Sequence, residues 1–127
     1  MTLTKQPVQF LLLSAGTAVA ALYHLTALLS PAFANIAYSL TYPPLRHIVF
    51  IAINCTCAYL FLSRPRWFIW IYIVLAAQAV NGHGTRLWRT WFTQNKINWI
   101  DIITVSGVLL GLAFLFADLR KRKGEVS

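Results

Sequence analysis

Residues 66–84 read RWFIWIYIVLAAQAVNGHG. The stretch opens on a basic aromatic collar, Arg66 and Trp67. It then runs through an apolar segment in which Gln78 and Asn81 are the strongly polar interruptions, and it stops at Asn81-Gly82-His83-Gly84. Basic and aromatic side chains gather where a bilayer meets water, and about 20 apolar residues in a helix cross its hydrocarbon core. The pattern predicts a membrane-crossing helix over 67–83 with a polar end.

Three further apolar runs, at about 8–30, 44–62 and 97–117, have similar length. Composition agrees: 58% of the 127 residues are hydrophobic and 11% charged, against about 25% charged in an ordinary soluble domain. The length suits one transmembrane domain rather than two domains. The formal net charge of +8 sits on cations near helix ends, where phospholipid head groups face them. No basic stripe lies on a soluble surface, which argues against nucleic acid as a partner. Cys55 and Cys57 are two residues apart on a helix, so their side chains diverge by about 200° and form no bridge. Lys5 and Ala32-Phe33-Ala34 resemble parts of a signal peptide. The run between them, some 22 residues from Val8 to Leu29, exceeds the 7 to 15 of a signal core and is expected to be a retained span.

In the first helix Ser14, Thr17, Ala21 and His24 share one small, polar face, suited to packing on a neighbour. Pro31 ends it. The connection 31–43 mixes Phe33, Tyr38 and Tyr42 with polar residues and is expected at the interface. Pro44 suits the first position of the second helix, whose first turn holds Arg46 and His47. His47, Asn54 and Cys57 fall near one stripe, and Asn54, in mid-membrane, should bond another helix. Ser63-Arg64-Pro65-Arg66 is a tight turn. After Gly84, Leu87, Trp88, Trp91 and Phe92 alternate with Arg86, Arg89 and Gln94, which predicts an interfacial amphipathic helix over 85–96. The last span places Asp101, Thr104, Gly107 and Gly111 on one face, with Gly107 and Gly111 as a G-x-x-x-G packing pair. The polar tail, 118–127, is expected to fray.

Four spans put both termini on one side. Seven cations, Lys5, Arg64, Arg66, Arg120, Lys121, Arg122 and Lys123, lie there, against four, Arg46, Arg86, Arg89 and Lys96, on the other. The positive-inside rule then makes the termini cytoplasmic in a bacterial-type plasma membrane. The fold expected is all-α: an integral-membrane, antiparallel four-helix bundle.

This topology brings His24, His47, Gln78, Asn81, His83 and Asp101 within about 10 Å of the outer boundary, at about 1.5 Å of rise per residue, and with Arg46 these are the candidate ligand contacts. Arg86 and Tyr23 are near enough to join. Ionisable groups inside spans point to function. Asp101 is the one acid within a span, and an arginine or histidine is its natural partner. Interfacial solvation alone would also account for His47, His83 and Arg46, and interhelical hydrogen bonding for His24 and Asp101. Gln78 and Asn81 suit helix packing as well as ligand contact.

Three readings follow. The layer holds the polar head of a quinone-like or lipid ligand, in an accessory subunit of a membrane complex. Alternatively, histidines such as His24 and His83 ligate a metal or a b-type haem, as neutral imidazole can. In the third reading the chain is an assembly subunit that packs through Asn54, Gly107 and Gly111 against a membrane protein or its own copy. No nucleophile with a base, phosphate loop or carboxylate pair suggests an independent enzyme.

The chain size, the four spans, the first-helix segment AGTAVAALYHL, the basic turn SRPRW and the third-helix end AAQAVNGHG resemble the DoxX-like group of small membrane proteins. The group's arginine and glycine pattern at the start of helix 1 is replaced here by Lys5 and Gln9. The resemblance implies a four-helix fold and association with a quinone-linked redox complex. It carries over no catalytic residue.

Overall fold

The computed structural model describes residues 7–30, 32–33 and 43–124, so the expectation for the connection 31–43 lies almost wholly outside the described residues. The chain is helical: α1 Val8–Leu29, α2 Pro44–Ser63, α3 Phe68–Gln94 and α4 Trp99–Gly124. Pro44 opens α2, where its missing N–H is no loss. Asn98 opens α4, accepting from the backbone N–H groups of Ile100 at 3.1 Å and Asp101 at 3.3 Å. Left-handed residues close two helices, Arg64 (φ 46°, ψ 51°) after α2 and Asn95 (φ 50°, ψ 38°) after α3.

Three helices, α1, α2 and α4, are long and apolar enough to cross a membrane. The third predicted span is not among them: Gln78, Asn81 and His83 interrupt its apolar run. The expected stop at 81–84 and the separate interfacial helix over 85–96 are also corrected, since α3 continues unbroken to Gln94. Gly82 and Gly84 each cost a helix about 1 kcal/mol, which weakens it without ending it. No proline follows, and Thr90 and Thr93 bond back to Arg86 and Arg89 carbonyls at 3.0 and 2.7 Å. The tail likewise departs from expectation: α4 stays helical to Gly124. Asp118 and Arg122 pair one turn apart at 2.7 Å. The basic last turn, Lys121 to Lys123, complements the helix dipole.

The chain divides into two compact units, Met1–Arg64 and Pro65–Ser127. In the first, α1 and α2 form an antiparallel hairpin. Phe10 and Phe61 meet at one end, 6.5 Å between ring centres. Ser14 Oγ donates to the Ala58 carbonyl at 2.9 Å farther along, and His24 meets His47 at the other end. The face of Ser14, Ala21 and His24 thus looks onto α2, as its small residues require. Asn54 departs from expectation, donating to the Phe50 carbonyl of its own helix at 2.8 Å. A carbonyl four residues back lies within reach and has a second lone pair, so the amide needs no neighbour. Cys55 and Cys57 are free thiols.

In the second unit α3 and α4 are antiparallel, with Tyr72 beside Val108 and Gly111, and His83 beside Asp101. The largest fully buried side chains are Phe10, Phe61, Phe68 and Asp101, whereas Leu12, Val19, Leu22, Leu29, Val74 and Ile103 are all more than 60% exposed. Apolar surfaces outside and a carboxylate inside reverse the distribution in water-soluble proteins. Lipid is the solvent such surfaces suit.

Candidate functional site

Each unit carries one polar cluster. In the first, His24 Nδ1 lies 3.2 Å from His47 Nδ1. Two like atoms at that distance share one proton, so one Nδ1–H donates to the other Nδ1 and the rings adopt opposite tautomers. The His24 ring stacks on Phe50 at 5.0 Å and meets Tyr23 edge-on at 5.9 Å, which fixes its plane. His47 is 4% exposed, so interfacial solvation does not account for it. Arg46, beside it in sequence, is exposed and sits 5.6 Å from the Phe50 ring centre, a cation–π distance.

The second cluster is the more demanding one. Asp101 lies in the first turn of α4, only 1% exposed. His83 Nδ1 is 2.6 Å from its Oδ1, and Arg86 Nε is 3.2 Å from its Oδ2. An imidazole nitrogen that close to a carboxylate oxygen has a proton between them, so Nδ1–H donates to Asp101. Arg86 Nη2 also lies 3.4 Å from Nδ1, but both are then donors, and this contact is proximity rather than a bond. The Arg86–Oδ2 contact is an ion pair by distance, with the N–H off the line to the oxygen. Oδ2 therefore remains a buried acceptor without a hydrogen bond.

The sequence puts this cluster together in two steps. His83 and Arg86 are three residues apart on one helix and so share a face. The antiparallel return brings the capped first turn of α4, with Asp101, opposite them. Removing a lone buried carboxylate from water would be prohibitive, and an arginine and a histidine compensate it.

Not every expected member joins. Gln78 and Asn81 are exposed on other faces of α3. Relative to His83 they are rotated by roughly 140° and 200°, so helical geometry separates them from Asp101. Arg86, named only as a neighbour by the sequence, is a direct partner of Asp101. Its spacing from His83 was the available signal, hidden by ending the helix at Gly84. Of the two glycines, Gly111 packs on the Tyr72 ring, whereas a Cβ at Gly107 would meet nothing within 4 Å. Among the described residues no group of three or more histidine, cysteine and acidic side chains could hold a metal. His24 pairs with His47 in one unit and His83 with Asp101 in the other.

No protein family, curated protein or solved structure matches this chain.

Proposed function

We propose that the chain is a four-span membrane protein of the plasma membrane, with cytoplasmic termini, serving as an accessory or ligand-binding subunit. Its His83–Arg86–Asp101 cluster holds the polar head of a quinone-like or lipid ligand on the outward side. The observation that carries the reading is the buried Asp101 carboxylate with two basic partners, in a hairpin whose outer surfaces are apolar. Ionisable groups in such a setting are expensive and mark sites. The fourth crossing is supported by the antiparallel contact of α3 with α4: a helix lying along a spanning helix crosses with it, and two of its ionisable groups, His83 and Arg86, turn to Asp101. Four crossings return the termini to one side, and the seven-to-four cation count makes that side cytoplasmic. A single bundle of the four helices and the resemblance to the DoxX-like group belong to the same reading. The second is supported by chain size and segment layout alone.

The test is an absorption spectrum of the gently purified protein, with metal analysis and organic extraction of the same sample. A stoichiometric lipophile that is lost in Asp101→Ala supports the reading. An empty wild-type sample, or retention unchanged by the substitution, rejects it. A Soret band or stoichiometric metal would replace it with the haem or metal reading.

The open Gly107 face favours a second reading, a structural subunit docking a membrane partner or another copy through small residues. In that case Gly107→Leu abolishes co-purification of the partner, while Asp101→Ala leaves the partner bound.

A further inference from the structure

The donor and acceptor pattern of the second cluster restricts the chemistry of what it can bind. We infer that the His83–Arg86–Asp101 site takes an uncharged amphiphile whose head donates a hydroxyl hydrogen to His83 and accepts hydrogen bonds from Arg86.

Asp101 sets the pattern. Its Oδ1 takes the His83 Nδ1 proton at 2.6 Å, and an imidazole that carries one proton and donates it from Nδ1 is the Nδ1–H tautomer. Nε2 then carries a lone pair and has no partner among the described residues. Oδ2 is closed to solvent, so it is not itself a ligand contact; it orients Arg86 through Nε at 3.2 Å. That leaves the terminal Nη groups of Arg86, whose one polar contact among the described residues, His83 Nδ1, is a donor and cannot accept. His83 and Arg86 are 25% and 21% exposed while Asp101 is 1% exposed, so the two basic side chains are the ones a ligand can reach. The surface offered is one acceptor beside several donors.

Charge narrows the class further. The carboxylate of Asp101 and the guanidinium of Arg86 cancel, leaving no counter-charge for an ionic head group. A phosphate or carboxylate would add a second anion beside a buried one, and an ammonium a second cation beside Arg86. A head with only ether or carbonyl oxygens would satisfy Arg86 and set lone pair against lone pair at Nε2. A hydroxyl satisfies both, its hydrogen toward His83 and its oxygen toward Arg86. Val80 and Leu87, within about 60° of His83 around α3 and only half-buried, offer apolar surface for an alkyl tail beside the site.

This inference rests on the ligand-binding reading above, and the experiment separates the two. The full chain in lipid nanodiscs is titrated calorimetrically with 4-decylphenol, its methyl ether, decyl phosphate and a decyl quinone, with empty nanodiscs subtracted. Leaving a buried acceptor unmatched weakens binding by about tenfold or more, so the phenol is expected to bind at least about tenfold tighter than the ether and tighter than the phosphate. His83→Phe brings the phenol-to-ether ratio to about one. Asp101→Asn frees the ring to present Nε2–H instead and lowers or reverses the ratio. Should His83→Phe lose its helical circular dichroism, Asp101→Asn and the wild-type ratio carry the test. Ether or quinone binding as tightly as the phenol, or a ratio that survives both substitutions, overturns the donor assignment alone. Binding of none of the four probes overturns the ligand-binding reading itself.

Discussion

Gly111→Ala should destabilise the α3–α4 hairpin, while Gly107→Ala, one turn earlier on the same helix, should not. A Cβ added at Gly111 would lie 2.5 Å from the Tyr72 hydroxyl oxygen, 3.0 Å from Cζ and 3.2 Å from Cε1. Ordinary contact begins near 3.4 Å, so the phenol end must retreat by nearly an ångström. Tyr72 is 6% exposed and its hydroxyl donates to the Val108 carbonyl at 3.4 Å, so the ring has little room and the movement breaks that bond. Overpacking of this kind costs about 1–3 kcal/mol and the lost hydrogen bond about 0.5–1.5 kcal/mol. Alanine's better helix propensity returns about 1 kcal/mol, which leaves a net loss of about 0.5–3.5 kcal/mol. At Gly107 the new methyl meets nothing within 4 Å, so the propensity gain stands alone. The assay is reversible unfolding in mixed detergent micelles, followed by far-ultraviolet circular dichroism, for wild type, both single variants, Tyr72→Phe and the Tyr72→Phe/Gly111→Ala double variant. Removing the hydroxyl removes the 2.5 Å contact, so the double variant should recover part of the loss as a measurable coupling energy. If Gly111→Ala is as stable as Gly107→Ala, or the cycle shows no coupling, the Tyr72–Gly111 contact does not hold the hairpin.

Other expected outcomes follow from single contacts. Asp101→Ala strands Arg86 and His83 in a partly buried site and should cost about 3–5 kcal/mol in the same unfolding assay, whereas an effect below 1 kcal/mol would mean that the cluster is solvated. Asn98→Ala removes the N-cap of α4 and should cost about 1 kcal/mol, with Asn98→Asp retaining most of the stability. Asp118→Ala breaks a one-turn pair with Arg122 near the end of α4 and should change stability by less than about 0.5 kcal/mol, with the difference vanishing in 1 M salt. His47→Phe keeps the ring volume but leaves His24 Nδ1 without its 3.2 Å contact. About 1 kcal/mol of the first hairpin's stability should be lost.

The sequence by itself determined that the chain is helical and that runs of membrane-spanning length recur in it, because apolar content and run length are one-dimensional properties. It also named Asp101 as the group needing a basic partner, because an isolated acid in an apolar run is costly wherever the chain goes. The inward face of Ser14, Ala21 and His24 was legible for the same reason, since helical periodicity is written in the spacing. What only the tertiary structure decided is which partners meet. A glycine pair lowers helix propensity by an amount smaller than tertiary anchoring can offset, so local signals ended α3 at Gly84 while the chain runs on to Gln94. That continuation places Arg86 one turn beyond His83 and makes it the counter-charge of Asp101. Asn54 turned to its own helix, and Gly111 rather than Gly107 received a ring. Each depends on the rotation and register of two helices about each other, and no single stretch of sequence encodes a distance between residues 18 or 39 positions apart.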